Sequence, residues 1–193
     1  RGQKKVFRKN QKIYDKLSEH IGLLPLVMIS PEDVALIEGG SEGRRRLIDG
    51  IISQCDRDYM YRLIRCNKAW MQRNMLLKNT AGKIPEADVI EIWDEQLADH
   101  GEEILKKRRQ FLDEFKVVFQ QYYELISSGK EKVVLEYNSS VKVENVCEAL
   151  RENLARDAVL GYTTVGIHRD DLTMKIDGYD VKKIGSQGQK KTF

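Results

Sequence analysis

The sequence contains no run of 18 apolar residues, and its basic opening, RGQKKVFRKN, leads into no apolar stretch. Neither a membrane-spanning helix nor a secretory leader is expected, so the chain reads as soluble, cytoplasmic and free of membrane contact. Cysteine is scarce. Cys55, Cys66 and Cys147 are odd in number and fit no metal or disulfide spacing, so buried, reduced thiols and no metal site are expected. No GxxxxGK[ST] motif occurs, so no loop of that kind cradles a nucleoside triphosphate within these residues. Internal repeats and low-complexity segments are also lacking. The net charge is only +3, too small for its total to argue for nucleic-acid binding. An initiator Met is missing, and the closing GSQGQKKTF offers a capping box, Ser186 with Gln189, followed by only about one helical turn. The chain is therefore expected to be an excised piece in which a helix has been cut short.

Hydrophobic residues make up 41% of the chain and charged residues 33%, which excludes a disordered tail and allows a modest core under a charged surface. Residues 1–16 hold seven Lys or Arg (Arg1, Lys4, Lys5, Arg8, Lys9, Lys12, Lys16) against Asp15 alone. The segment is either a patch that tracks phosphates or a β-hairpin, KKVFRKNQKIY, turning near Asn10, with Val6, Ile13 and Tyr14 among its apolar residues. LLPLVMIS, residues 23–30, is nearly unbroken in apolar character and predicts a strand buried on both faces. Without partner strands, it would leave apolar surface exposed or covered by self-association. SPED then predicts Ser30 as N-cap, Pro31 at the first helical position and a short helix to about Glu38. GGSEG breaks the chain.

From Arg44 to about Leu77, apolar residues recur mostly at i, i+4, which predicts one helix about 50 Å long. A second pattern runs from Glu86 to about Ser127 through Ile90, Trp93, Leu97, Ile104, Phe111, Phe115, Val118, Tyr122 and Leu125, with His100 and Arg108 filling the gaps. Two heptad-like helices joined by NTAGKIP predict an antiparallel coiled-coil hairpin, an arm. KVVLEYNSS then reads as a strand, residues 143–159 as a third helical stripe, and LTMKIDGYDVKKIG as a β-hairpin turning at DGYD. The expected fold class is α+β, with a helical arm inserted between segments of a partial head. The division is 1–40 for head-proximal strands and a short helix, 41–128 for the arm, and 129–193 for the return.

VIEIWDE superficially resembles the apolar strand and acidic pair that hold magnesium in nucleotide hydrolases, but Ile90, Trp93 and Leu97 keep the helical period. GIHRDDL is the densest cluster of reactive groups. His168, Asp170 and Asp171 suit a metal or a general base. The same residues also suit a polar turn in which Asp170 or Asp171 pairs with Arg169 and caps the strand starting at Leu172. GRRRLID places Arg44, Arg45 and Arg46 in a helical first turn, where the macrodipole disfavours them, so an anion or a buried carboxylate is expected as partner. WMQRN pairs Trp70 with Arg73 on the arm, which suits either a nucleic-acid contact or core packing beside a solvated Arg73. In GSQGQKK, Ser186, the free N–H groups after it and Gly188 suit an anion at a helix start.

Taken in order, ISPEDVALIEGG, RRRLID, QRNMLLK, GYTTVGIHRDDL and GSQGQKKT resemble the RecF family, bacterial SMC-like ABC ATPases of DNA replication and repair. The likeness runs from about Val6 to Thr192. The family usually has Pro where Ile167 and Ser41 stand, and Arg where Lys191 stands. The resemblance implies that two heads sandwich ATP with magnesium. Ser186, Gln187, Gly188 and Gln189 would be the signature loop that meets the γ-phosphate in trans. It further implies that His168, Arg169, Asp170 and Asp171 shape that loop or the dimer face, and that Arg44 and Arg45, matching the family's paired arginines, meet either a phosphate of DNA or another part of the head; Arg73 is a further candidate phosphate or DNA contact. DNA, an ATP-dependent second copy and other recombination mediator proteins are the implied partners, in the bacterial cytoplasm near the nucleoid. The nucleotide-binding loop and the acidic magnesium strand would come from elsewhere, so these residues alone should bind no nucleotide and hydrolyse nothing. The competing readings are a stand-alone coiled-coil interaction module and a metal-dependent hydrolase built on HRDD.

Overall fold

Asn10 and Gln11 take positive φ, 48° and 67°, the conformation that closes a two-residue hairpin. β1 (Arg8–Lys9) and β2 (Lys12–Ile13) pair antiparallel around them, so the opening segment is a short, exposed hairpin as its pattern predicts. The computed structural model describes residues 6–28, 30–142 and 144–193. Arg1, Lys4 and Lys5 of the basic opening, Ile29 of the apolar run and Val143 at the expected start of the third helical stripe lie outside the described residues.

The apolar run corrects the expectation of a buried strand. Residues 24–28 form no strand, and Leu24, Leu26, Val27 and Met28 are 67–83% exposed. A continuous apolar run suits a strand between two neighbours, and no described strand offers it an edge. Among the described residues, Leu26 anchors it by its N–H donating to Gln54 Oε1 at 2.9 Å. The next boundary is as expected. A 3-10 turn over Pro31–Val34 runs into α1 (Ala35–Glu38), with the Ser30 N–H held by Asp33 Oδ2 at 2.7 Å.

The first long helix is two. α2 (Ser41–Cys55) and α3 (Arg57–Asn79) meet at Asp56, whose extended backbone (φ −129°, ψ 105°) stops one helix while its carboxylate caps the next by accepting the Tyr59 N–H at 3.0 Å. Because α2 starts at Ser41, three residues before the expected start, its arginines lie beyond the first turn, which corrects their placement at the N-terminus. α4 (Ala87–Ser127) is a single helix, about 60 Å long at 1.5 Å per residue. It runs antiparallel to α3: Arg73 meets Asp94 near the connecting loop, and Asp56 meets Lys107 at the far end. VIEIWDE is thus helical, as its period predicts.

β3 (Val133–Asn138) pairs antiparallel with β4 (Asp171–Ile176), from Val133 opposite Ile176 to Asn138 opposite Asp171. A turn at Asp177 and Gly178, both at positive φ, leads into β5 (Tyr179–Asp180). The second arm of this hairpin is shorter than expected, because α7 (Val181–Ile184) begins where alternation predicted more strand. Between β3 and β4, α5 (Val146–Glu152) and α6 (Leu154–Leu160) divide the third helical stripe at Asn153. They lie back on the helix pair. Val146 and Leu150 join the core built by Cys66, Leu97, Ile104 and Leu105, and Ala158 packs on Leu77 and Ile90. The end of α4 instead serves the sheet, where Tyr123 packs with Val133, Ile176 and Val181. All three cysteines are free, but Cys66 alone is buried: Cys147 is half-buried and Cys55 exposed, which corrects the expectation of three buried thiols. Among the described residues, no helix is long and apolar enough to cross a membrane.

Candidate functional site

α8 (Gln187–Thr192) begins with the expected capping box. Ser186 Oγ accepts the Gln189 N–H at 3.2 Å, and Gln189 Oε1 accepts the Ser186 N–H at 2.9 Å. Ser186, Gln187 and Gly188 are exposed. The N–H groups of Gln187 and Gly188 belong to a first turn and have no carbonyl within the helix to bond. A Cβ at Gly188 would meet nothing closer than Ser186 Oγ at 3.8 Å, so the backbone there is open to approach. Two further contacts fix the turn from below. Gln189 Nε2 donates to Glu131 Oε1 at 2.7 Å, while the Tyr123 hydroxyl donates to Glu131 Oε2 at 2.6 Å. Phe193 packs its ring 5.0 Å from Phe119, so the last turn is seated on the end of α4. The two hydrogen bonds hold the Glu131 carboxylate below its ordinary range. These donors suit a phosphate oxygen, but they form no enclosed nucleotide cavity.

The HRDD residues diverge. His168 sits in a 3-10 turn over Ile167–Arg169, with Nε2 at 3.0 Å from the Thr163 carbonyl and its ring 5.1 Å from Trp70. Burial pushes the imidazole down to about 4, so it is neutral at physiological pH. Arg169 is exposed, and neither aspartate pairs with it. Asp170 is buried. It accepts from Ser139 Oγ at 2.6 Å, from the Tyr137 hydroxyl, and from Arg108 Nη1 at 3.1 Å. Asp171 turns the other way and takes Arg44 in a two-pronged contact, Nε at 2.7 Å and Nη2 at 3.0 Å. Three side chains with three separate sets of partners do not converge, and no group of three or more metal-binding side chains occurs among the described residues. The cavity bordered by His168 and Trp70 measures about 20 Å³, room for about one water. The polar-turn reading therefore survives with its partner corrected: Arg108 and Arg44 take the carboxylates, because Arg169 faces solvent.

Two motifs far apart in sequence are one structure. Arg44 also donates to the carbonyls of Leu36 and Gly39, at 2.7 and 3.2 Å, and Arg45 donates to the Asp170 carbonyl at 2.6 Å. The carboxylate partner expected for these arginines is thus Asp171 for Arg44, and the start of β4 is bolted to α2. Sequence reasoning missed the centre of this network. Arg108, 2% exposed, clasps both oxygens of Asp49 at 2.8 and 2.9 Å and also donates to the Ile167 carbonyl at 2.9 Å. The Tyr59 hydroxyl donates to the same Asp49 at 2.5 Å. Burial alone would lower the Arg108 pKa, yet Asp49 and the other partners hold it well above the ordinary value. Arg108 interrupts the apolar stripe of α4, and a charge at a core position demands a partner; that was the available signal.

Arg73 is a correction. It is fully buried, donating to Asp94 and Asp157 at 2.6 Å each, to Thr163 Oγ1 at 3.0 Å and to the Leu150 carbonyl at 3.4 Å. With no exposed surface, Arg73 joins α3, α4 and α6 and does not reach a phosphate.

No protein-family model matches the chain. It is 47% identical over 193 residues to the DNA replication and repair protein RecF of Phocaeicola vulgatus, covering all of this chain and 52% of that protein. It is 45% identical over 194 residues to the RecF of Flavobacterium johnsoniae, covering 54% of it. A solved structure of the recombination mediator protein RecF-ATPrS in the RecFOR pathway superimposes with a TM-score of 0.87 at 33% identity, over 97% of this chain and 53% of that one. The RecF-ATP structure gives 0.88 at the same identity, over 97% and 52%. The chain spans about half the length of the relatives it matches. The resemblance to RecF therefore extends along the whole chain, and its α+β architecture with the long helix α4 is that of the RecF structures.

Proposed function

We propose that this chain is the arm and the trans-acting signature loop of a RecF-type DNA replication and repair protein, one that binds ATP, dimerises through it and acts on DNA. The reading rests above all on the match to RecF proteins over the full 193 residues. The exposed capping box at Ser186, whose residues resemble the family's signature loop, supports it. Residues 1–40 and 129–193 contribute to the head, and 41–128 to the arm, which is of coiled-coil type.

Bound ATP supplies the γ-phosphate charge that joins two subunits. The chain's own part is to present the Ser186 hydroxyl and the N–H groups of Gln187 and Gly188 as donors at a helix start, where partial positive charge favours an anion. Gln189 takes no part in the contact, because its side chain is spent on Ser186 and Glu131. His168 packs under the turn that leads to β4, and Asp170 and Asp171 hold that strand to Arg108 and Arg44. These residues position the loop and transfer no proton. The nucleotide-binding loop and the acidic strand for magnesium belong to the rest of the protein, so these residues alone hydrolyse nothing. The whole protein would work in the bacterial cytoplasm at the nucleoid, with other recombination mediator proteins, clamping DNA and helping to load recombinase at gaps. A stand-alone coiled-coil module is the weaker reading, since it needs neither the exposed Ser186 turn nor the sheet that carries it.

Light scattering of the full-length protein, with and without ATP, tests this. Ser186→Arg should abolish the ATP-dependent dimer while the monomer still binds ATP. An unchanged dimer would reduce the turn to a helix start and remove the mechanism.

A further inference from the structure

α3 carries two seams. The inner one, through Tyr59, Cys66, Ala69, Arg73 and Leu77, is buried against the rest of the chain. On the opposite side, a second series at alternating steps of three and four holds Tyr61, Ile64, Met71 and Met75, which are 50–64% exposed. The polar positions of the same series are Arg57, Lys68 and Lys78, all exposed. At 100° per residue, these seven positions fall within an arc of about 100°. Over 57–78 the only acid is Asp58, which is engaged by Arg62 at 2.8 Å. Arg57, Lys68 and Lys78 have no carboxylate partner among the described residues, and Arg65 stacks 4.4 Å over the Tyr61 ring, adding a flat cationic edge to the stripe.

A strict three-four apolar stripe is the signature of a helix-packing seam, and here its four apolar side chains stay at least half exposed among the described residues. We propose that the outward face of α3 is a docking surface for an amphipathic helix of a partner protein whose apolar stripe is fringed with Asp and Glu. The four apolar side chains suit a helix far better than a phosphate backbone, which needs cations and has no use for Ile64, Met71 or Met75. A second copy of α3 is excluded as occupant by charge. An antiparallel pairing sets Lys68 against Lys68 and Arg57 against Lys78, so like charges meet along the seam. The polar positions therefore select an acidic partner, and the methionines allow it to settle without exact shape matching. The inference goes beyond the nucleotide reading and stands independently of it.

The test uses the full-length protein and a dye-labelled synthetic peptide of about four heptads, with Leu at the two seam positions and Glu beside them. Fluorescence anisotropy should show saturable binding, absent for a scrambled peptide of the same composition. Met71→Ser/Met75→Ser and Lys68→Glu should each weaken binding at least about tenfold. Both sets lie at exposed positions, so thermal melting should be unchanged. Absence of binding overturns the proposal. So does binding that falls with Lys68→Glu but ignores the methionine pair while duplex DNA shows the same dependence, which would make the stripe a nucleic-acid contact. If Met71→Cys in a Cys55→Ser/Cys147→Ser background of the full-length protein takes up no more maleimide than that background alone, the remaining half of the protein covers the face, and the proposal fails as well.

Discussion

Arg73→Met should be the most damaging single substitution in the helix pair, and its cost should depend on pH. The side chain is roughly the right shape, so little packing is lost; what changes is that Asp94 and Asp157, at 2% and 0% side-chain exposure, lose the cation they share. Leaving a buried charge without its partner costs about 3–5 kcal/mol. Burial already pushes the Asp94 carboxyl above its ordinary range, with Arg73 opposing that rise. Without the arginine the folded pKa climbs further, and each unit is worth about 1.4 kcal/mol. The sign follows from proton uptake: the folded variant binds more protons than the unfolded chain between the unfolded value, about 4, and the raised folded value, so its stability falls as pH rises across that window. Urea unfolding followed by fluorescence of Trp70 and Trp93 should therefore show a smaller deficit at pH 5 than at pH 8. Adding Asp94→Asn and Asp157→Asn to Arg73→Met should recover stability relative to the single variant. A loss below about 1 kcal/mol at pH 8, or a loss indifferent to pH, would refute the account of a buried triad.

Gly22→Ala should destabilise by about 1–3 kcal/mol, because Gly22 sits at φ +82° with the new Cβ 2.4 Å from the Gln54 carbonyl oxygen; a denaturation midpoint equal to the parent's would contradict it. His168, held down to about 4 by burial, has a folded value below its unfolded one near 6.5, so its contribution to stability is present above 6.5 and is lost as pH falls toward 4. An NMR titration of its ring should give a midpoint below 5, and a midpoint of 6 or more would mean the ring is solvated. Glu131→Ala removes the acceptor shared by Tyr123 and Gln189, so amide exchange should quicken at Gln189 and Phe193. Unaltered exchange there would show that packing of Phe193 alone seats α8.

Local signals settled a great deal. The hairpin at Asn10, the start at Ser30 and Pro31, the unbroken α4, the turn at Asp177 and Gly178 and the capping box at Ser186 each depend on residues within a few positions of one another. Backbone preference and short hydrogen bonds determine such features wherever the chain goes. The spacing of Ile90, Leu97 and Ile104 likewise forces one face of α4 inward. Tertiary structure decided what depends on distant partners. Asp56 interrupts a pattern that reads as one helix, because its carboxylate serves the Tyr59 N–H and Lys107 together. Residues 24–28 have the composition of a buried strand but no edge to join. Arg73 looks like a surface residue in WMQRN until Asp94 and Asp157 arrive from two other helices, and HRDD looks like one cluster until Arg44 and Arg108 draw its aspartates apart. Charged side chains carry no periodic mark of their own: whether an arginine meets water, a carboxylate or a phosphate is decided by what the fold brings within about 3 Å of it.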